Sequence, residues 1–219
     1  LESRELFLQT IKLLLKRMKS DGVDCPGTDD TRRCLEVIAS ESARCGELVK
    51  GLLQFARQSP IKLQPNSPND LIRQAIRLVQ HKSDLLSLQI RLQLEEPLPS
   101  LVCDGRLIQQ ALVALLINAC EAVKPGNGLI EVGSRLLKEE HSVEISVRDN
   151  GVGMSEEVRR QIFEPFFTTK QAGKGVGLGL AVVSGIVSQH SGTVEVKSEL
   201  GAGTAFELHL PLERSCNIA

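Results

Sequence analysis

Three short stretches of the 219-residue sequence place polar groups and glycines at spacings that can do chemistry. The first is Asp149-Asn-Gly-Val-Gly153, in which a carboxylate directly follows the apolar pattern of a predicted strand. A carboxylate at a strand end can accept a hydrogen bond from an exocyclic amine such as adenine N6, and a buried one requires such a partner or water. Asp-Asn-Gly is also a hairpin signal, so an ordinary turn is the alternative interpretation.

The second stretch is the glycine run Gly173-Lys-Gly-Val-Gly-Leu-Gly-Leu180. It does not fit the dinucleotide pattern Gly-x-Gly-x-x-Gly, because Leu178 stands where that register requires glycine. It does not fit a P-loop either, because glycine rather than Ser or Thr follows Lys174. A glycine-rich loop that runs into a helix N-terminus nevertheless favours phosphate, through close backbone approach and unpaired amides. A flexible linker is the alternative interpretation.

The third feature is Asn118, which lies within a strongly apolar helix predicted from Asp104 to about Val123. Asparagine is disfavoured in the middle of a helix unless its side chain has a specific partner. Its carbonyl oxygen is a hard ligand of the kind that Mg²⁺ accepts together with phosphate oxygens and water. A capped or surface asparagine is the alternative interpretation.

The elements predicted around these stretches alternate helices with mainly antiparallel strands. They are a helix from Asn69 or Asp70 to about 82, strands at 88–94, 129–137, 142–148, 193–198 and 204–210, and helices at 104–123 and about 177–190. This pattern predicts an α+β domain with a two-layer α/β sandwich over residues 70–213, followed by a tail at 214–219.

The N-terminal residues 1–60 carry a different pattern, a seven-residue apolar repeat on two predicted helices, 1–20 and 31–58. In the second helix Leu35, Ser42, Val49 and Ala56 recur every seven residues. This repeat predicts an antiparallel hairpin, and two hairpins would form a homodimeric four-helix bundle. A hairpin packed on its own domain is the alternative. Residues 61–69 contain two prolines and no helical pattern, which predicts a linker.

Composition excludes several classes of function. The formal net charge is −1, which offers no overall attraction to nucleic acid or to an anionic membrane surface, and Trp and Tyr are absent. The six cysteines are scattered without a Cys-x-x-Cys pair, so we expect reduced thiols in a cytoplasmic protein and no zinc. No apolar run is long enough to span a bilayer, and any membrane anchor of a longer protein would lie in upstream segments.

The order of the motifs resembles one family. Asn118, Asp149-x-Gly-x-Gly, Phe163-Glu-Pro-Phe-Phe-Thr-Thr-Lys170, the glycine run and Gly201-Ala-Gly-Thr204 are together similar to the ATP-binding domain of sensor histidine kinases. This domain belongs to the GHKL superfamily, which also includes DNA gyrase B, Hsp90 and MutL. The resemblance covers about 66–212 and is closest to the nitrogen-regulation-type branch, and the helix 31–58 is similar to the second helix of the family's dimerisation and phosphotransfer hairpin.

The resemblance implies a fold of the histidine kinase/Hsp90 ATPase type and an ATP-dependent protein histidine kinase of a two-component system, with a response regulator receiver domain as partner. It assigns Asp149 to adenine N6 and Asn118 to Mg²⁺, with Thr204 near the adenine. Lys170 and Lys174 would lie on a mobile lid near the phosphates. The implied ATP-binding residues are Asn118, Asp149, Gly151, Gly153, Phe163, Thr168, Thr169, Lys170, Lys174, Gly175, Val176, Gly177, Leu178, Gly179, Leu180 and Thr204.

Two departures from the family pattern bear on activity. Ala114 stands four residues before Asn118, where relatives often carry Asn, His or Glu, so we expect poor intrinsic ATP hydrolysis. The phosphoacceptor box His-Glu-x-x-x-x-Pro-Leu is absent from this sequence, whose four histidines all lie outside the predicted hairpin. Leu1-Glu-Ser is similar to the residues that follow this box, so we expect the acceptor histidine just upstream.

Two other functions compete with a kinase core. An ATP-binding pseudokinase that signals through dimer conformation is compatible with Ala114 and with the missing histidine. An ATPase of the gyrase or Hsp90 type is less compatible, because a glutamate at the position of Ala114 normally activates the water there.

Overall fold

The computed structural model describes residues 35–39, 42, 46, 61–170 and 176–212, which fall in two compact units. The larger unit comprises 61–167 and 177–212, and the described residues of the smaller unit are 35–39, 42, 46, 168–170 and 176. Residues 35–39, 42 and 46 are helical, in agreement with the predicted second helix. The rest of the predicted hairpin and the predicted tail lie outside the described residues, so the hairpin and its dimer stay predictions.

The larger unit contains four helices and seven strands among its described residues. In chain order they are β1 (Gln64–Asn66), α1 (Pro68–Leu85), β2 (Gln89–Leu94), β3 (Leu101–Cys103), α2 (Gly105–Ala122), β4 (Leu129–Leu137), β5 (Ser142–Asp149), α3 (Glu156–Gln161), α4 (Gly179–Gln189), β6 (Thr193–Glu199) and β7 (Gly203–Pro211). None of the helices in the described part of the chain is long and apolar enough to cross a membrane.

One layer of this unit is a five-stranded mixed sheet with the strand order β2-β4-β5-β7-β6. Strand β2 runs parallel to β4, and all other neighbours are antiparallel. The register places Asp149, the last residue of the central strand β5, opposite Ile130 on one side and Thr204 on the other. Strands β1 and β3 form a separate two-stranded sheet.

Helices α1, α2 and α4 form the second layer and pack on one face of the sheet. Alternate residues of β5 and β7 face this layer, and Val143, Ile145 and Leu208 are each completely buried. From the helices, Ile72 and Leu112 close the same core at 1% exposure. The predicted two-layer α/β sandwich is therefore confirmed, and the hydrophobic core lies between the layers.

The predicted linker at 61–69 differs in part from the structure. Residues 64–66 form β1, which pairs with β3, and α1 already begins at Pro68 with Ser67 as its N-cap rather than Asn69 or Asp70. Proline at the first helical position is pre-organised for a helix and loses no hydrogen bond there, so it starts α1 rather than prolonging a linker. The division into domains itself stays a prediction.

Candidate functional site

Asp149 ends the central strand of the sheet and is 5% exposed. Its Oδ1 accepts a hydrogen bond of 2.8 Å from the N–H of Gly151, and the N–H of Thr204 also donates to the carboxylate. Burial raises the pKa of the Asp149 carboxyl, and these two hydrogen bonds, which act to lower it, do not offset that rise. Since an ionised carboxylate offers about four acceptor positions, this one retains capacity for a donor from a ligand.

Asn150 fixes the direction in which the chain leaves the sheet. Its Oδ1 accepts from the N–H of Leu129 at 2.8 Å, and its Nδ2 donates to the carbonyl of Asn127 at 3.1 Å. The chain then runs into α3 rather than into a strand paired with β5. The Asp-Asn-Gly sequence is therefore not a hairpin turn, although the bond from the N–H of Gly151 to Oδ1 of Asp149 closes a local side-chain turn.

Gly151 and Gly153 allow two backbone segments to approach this loop closely. A Cβ at Gly151 would lie 2.5 Å from the carbonyl oxygen of Ala122 and 2.7 Å from Oδ1 of Asp149. Gly153 has φ of +65°, and a Cβ there would lie 1.8 Å from the carbonyl oxygen of Glu199. Any side chain at either position would push the loop away from its neighbours.

Thr204 lies beside Asp149 and belongs to a small network centred on Ser198. The Oγ atoms of Ser198 and Thr204 are 2.9 Å apart, and both residues face each other across the pair of strands β6 and β7. Ser198 Oγ also donates to the carbonyl of Gly203 at 3.0 Å and accepts from the N–H of Met154 at 2.9 Å. This network ties the loop after β5 to the start of β7.

Helix α2 reaches the Asp149 loop at its C-terminal end. The N–H of Val152 donates to the carbonyl of Ala122 at 3.1 Å. Asn118 precedes Ala122 by one helical turn, so both lie on the same face of α2, about 6 Å apart along its axis. Asn118 and Ala114, a further turn away, are half-buried. Asn118 thus lies one turn before the residue whose main-chain carbonyl contacts the loop.

Helix α4 begins without a side-chain cap. Its N-cap residue Leu178 is apolar and makes no capping hydrogen bond to the first amides of α4. The preceding Gly177 has φ of +72°, and its carbonyl accepts from the N–H of Phe166 at 3.0 Å. A Cβ at Gly179 would meet no atom within 4 Å, so space is open beside this helix start. Helix α4 packs directly against α2.

The structure brings together some of the predicted site residues. Asp149, Gly151, Gly153 and Thr204 form one cluster, and Gly177–Leu180 lead into α4. Asn118 lies on α2, one turn before the residue whose carbonyl bonds to this cluster. Phe163 is half-buried against the core. Thr168, Thr169, Lys170 and Val176 belong to the smaller unit, where the N–H of Lys170 donates to Oγ1 of Thr168. Lys174 and Gly175 lie outside the described residues.

The sequence analysis did not single out Ser198 or the carbonyl of Ala122. Ser198 stands in a strand pattern, Thr-Val-Glu-Val-Lys-Ser-Glu, that carries no chemical signal. Its inward position, two residues after Val196 in the alternation, is the one feature that could have indicated a buried hydroxyl.

Comparisons with known proteins place this chain in a family. A family model described as "Histidine kinase-, DNA gyrase B-, and HSP90-like ATPase" matches residues 103–214. The chain therefore belongs to this family of ATPases. The match begins at the end of β3 and includes Asn118, Asp149, Thr204 and the glycine run.

Its relatives include named sensor kinases. Sensor histidine kinase ZraS of Escherichia coli (strain K12) is 35% identical over 187 residues, which are 85% of this chain and 39% of that protein. Sporulation kinase E of Bacillus subtilis (strain 168) is 34% identical over 179 residues, which are 82% of this chain and 24% of that protein. The chain thus spans well under half the length of these relatives.

A solved structure shares the fold. The catalytic domain of histidine kinase ThkA superposes with a TM-score of 0.62 at 29% identity and covers 69% of this chain and 96% of that domain. ThkA in complex with the response regulator protein TrrA gives a TM-score of 0.70 at 25% identity, over 97% of this chain and 59% of that one.

Proposed function

We propose that this chain is the catalytic core of a two-component sensor histidine kinase. It binds Mg-ATP and transfers the γ-phosphoryl group to a histidine on a dimerisation helix, for relay to a response regulator. The observation that carries the proposal is the buried carboxylate of Asp149, which ends a central strand with acceptor capacity left over and has glycines on the approach to it.

In this proposal the Asp149 cluster binds the base. The carboxylate accepts a hydrogen bond from the exocyclic amine of adenine, and Thr204 lies beside it on the next strand. Gly151 and Gly153 keep the loop close to Ala122 and Glu199, and no Cβ at Gly151 crowds Oδ1 of the carboxylate. The amine replaces the partner that a buried carboxylate otherwise lacks.

The start of α4 binds the phosphates. The N-cap residue Leu178 does not cap its first amides, and the helix dipole favours a negative charge at this end. Gly175, Gly177 and Gly179 permit the close approach of oxygen atoms to the backbone. Lys170 and Lys174 contribute positive charge from a lid that covers the phosphates once ATP is bound.

Asn118 is the residue suited to hold Mg²⁺. Its amide oxygen is a hard donor on α2, the helix whose C-terminal end bonds to the Asp149 loop and which packs against α4. When bound, the ion neutralises the charge that develops on the transferred phosphoryl group. Ala114 offers no group that could take a proton from water, so positioning of the acceptor rather than hydrolysis governs turnover.

The proposed partners follow from the relatives. ThkA forms a complex with the response regulator protein TrrA, and we propose a receiver domain of the same type as the partner here. We also propose that residues 1–60 form the homodimer and that this part of the protein works in the cytoplasm without contact to nucleic acid or membrane.

Transfer between two copies tests the function. The chain is incubated with Mg²⁺ and γ-phosphate-labelled ATP together with a longer polypeptide of the same protein that supplies the upstream histidine helix. This longer copy carries Asp149→Asn, so that any label on it must come from ATP bound to the shorter chain. Acid-labile label on the longer copy supports the kinase, and its absence refutes it.

The same assay separates the competing functions. Steady phosphate release without label on either copy indicates an ATPase of the gyrase or Hsp90 type. Tight binding of ATP with neither release nor transfer indicates a pseudokinase that signals through conformation, a function that the half-buried Ala114 favours because it removes the usual polar group near the γ-phosphate.

A further inference from the structure

We propose that Ser198 determines the preference for adenine over guanine by fixing the direction of the Thr204 hydroxyl. The inference rests on the proposed function, since it assigns a role within the proposed base site. Ser198 does not need to touch the base for this. It acts through Thr204 and is therefore a positioning residue.

The Ser198 hydroxyl carries a single proton. Ser198 Oγ donates to the carbonyl of Gly203 at 3.0 Å, and a carbonyl can only accept. The same oxygen receives the N–H of Met154 at 2.9 Å. With its proton committed to Gly203, Ser198 has only a lone pair to offer to Thr204, whose Oγ1 lies 2.9 Å away.

Thr204 must therefore donate its own proton to Ser198. Its Oγ1 then presents only lone pairs to any other group in the site. Thr204 is 6% exposed and stands directly opposite Asp149 in the register of β5 and β7. The Asp149 carboxylate is an acceptor as well, so the two side chains that line this corner both offer acceptors.

Because the Asp149 and Thr204 side chains both offer acceptors, they discriminate between the purines at ring position 6. Adenine carries an amino group there, which can donate to Asp149. Guanine carries a carbonyl oxygen, which would face the acceptors without a donor. A buried polar group left without a partner costs more than an ordinary hydrogen bond contributes, so guanine is rejected.

The hydrogen bonds of Ser198 to Met154 and Gly203 keep the Thr204 hydroxyl directed towards Ser198. Met154 lies in the loop that follows Asp149, and Gly203 is the residue before Thr204. Ser198 thus bridges the two segments that carry the side chains of the proposed base site. Without the Ser198 hydroxyl, the Thr204 hydroxyl can rotate and donate to a carbonyl oxygen in the site.

The test measures the affinity of the full chain for Mg-AMPPNP and for Mg-GMPPNP by calorimetry. The variant Ser198→Ala should lower the ratio of the two affinities roughly tenfold, the effect of one hydrogen bond of ordinary strength. Ser198→Thr retains the hydroxyl and should keep the ratio of the unmodified chain. Ser146→Ala, on the opposite face of the same sheet, is the matched control and should change nothing.

A double substitution shows whether Ser198 acts through Thr204. Thr204→Val alone should lower the ratio by a similar factor, which also provides a test if Ser198→Ala does not fold. Adding Ser198→Ala to Thr204→Val should then have no further effect on the ratio. An equal drop in both backgrounds would overturn the inference, because Ser198 would then act independently of Thr204.

A wrong role for Ser198 and a wrong proposed function would give different results in these measurements. If the unmodified chain binds AMPPNP tightly and Ser198→Ala leaves the preference unchanged, the role of Ser198 is wrong and the proposed function stands. If the unmodified chain binds neither analogue, the proposed function is refuted and the inference with it.

Discussion

Two buried aspartates lie at the ends of strands of the same unit, and they differ in how fully backbone N–H groups satisfy the carboxylate. Asp104 follows β3 and is 2% exposed, and Asp149 ends β5 and is 5% exposed. Asp104 accepts from the N–H groups of Arg106 at 3.1 Å, Leu107 at 3.4 Å and Lys62 at 3.1 Å. Its carboxylate is therefore satisfied by its own chain, as a helix cap that also holds the segment before β1.

The pKa values of the two carboxyl groups shift in opposite directions. Burial acts to raise the pKa of Asp104, yet the three backbone donors and the nearby Arg106 hold it below its usual range. Burial raises the pKa of Asp149, and its two backbone donors leave that rise in place. Asp104 therefore serves the fold, whereas Asp149 retains the capacity to accept a hydrogen bond from the nucleotide that we propose to bind there.

The largest effect is expected for nucleotide binding. Asp149→Asn replaces an acceptor by an amide that can turn its NH₂ towards the adenine amine, so the affinity for Mg-AMPPNP should fall by about a hundredfold or more. Calorimetry on the folded variant measures this. Asp104→Asn is the matched control, because asparagine is also a good N-cap, and it should bind the nucleotide as the unmodified chain does. Unchanged affinity in Asp149→Asn would remove the distinction between the two aspartates.

The next effect concerns stability at Asp104. Asp104→Ala removes the cap of α2 and the acceptor for Lys62, and should lower the free energy of unfolding by about 2 kcal/mol. Urea unfolding followed by circular dichroism provides the value. A loss below about 0.5 kcal/mol would show that the hydrogen bonds at Asp104 do not stabilise the fold.

A smaller effect of opposite sign is expected at Asp149 in the absence of nucleotide. A raised folded-state pKa means that the folded chain binds the proton more readily than the unfolded chain, so stability falls as the pH rises through that pKa. Asp149→Asn should therefore stabilise the free chain at pH 7, by up to about 1 kcal/mol. Urea titrations should show the gain shrinking towards acid pH, and a variant that is less stable at pH 7 would contradict this sign.

The same urea titrations should show a different pH dependence of the free energy of unfolding for Asp104. A lowered folded-state pKa gives a stabilisation that is present above the ordinary pKa of an aspartate and is lost as the pH falls through the folded-state value. The difference between the unmodified chain and Asp104→Ala should thus persist from neutral pH down to mildly acid pH. If the difference already disappears near neutral pH, Asp104 is not held ionised by its donors.

The elements that carry Asp104 and Asp149 could be predicted from the sequence, because local patterns determine them. The apolar alternation before Asp149 predicted β5, and the apolar run after Asp104 predicted α2 with Asp104 as its cap, which the structure confirms within a residue or two. The assignment of Gly151 and Gly153 to the adenine site stays a prediction, and the structure shows in addition that a Cβ at either position would clash with a neighbouring carbonyl.

The tertiary partners could not be predicted in this way. Lys62 reaches Asp104 across 42 residues, and the N–H of Asp104 donates to Nε2 of His190 across 86 residues, which no local pattern records. This hydrogen bond indicates that His190 is a structural residue of the fold. Ser198 was missed for the same reason, because its partner Met154 is brought near only by the packing of the loop on β6.

The central claim is that a nucleotide completes Asp149 and leaves Asp104 unchanged. The most direct test is to follow both side-chain carboxyl carbons by NMR during a pH titration of the chain, with and without Mg-AMPPNP. The account predicts that the pKa of Asp149 is raised in the free chain and drops when the analogue binds, because the adenine amine stabilises the ionised form. The pKa of Asp104 should stay low in both states. An Asp149 pKa that does not respond to the bound analogue would contradict the account.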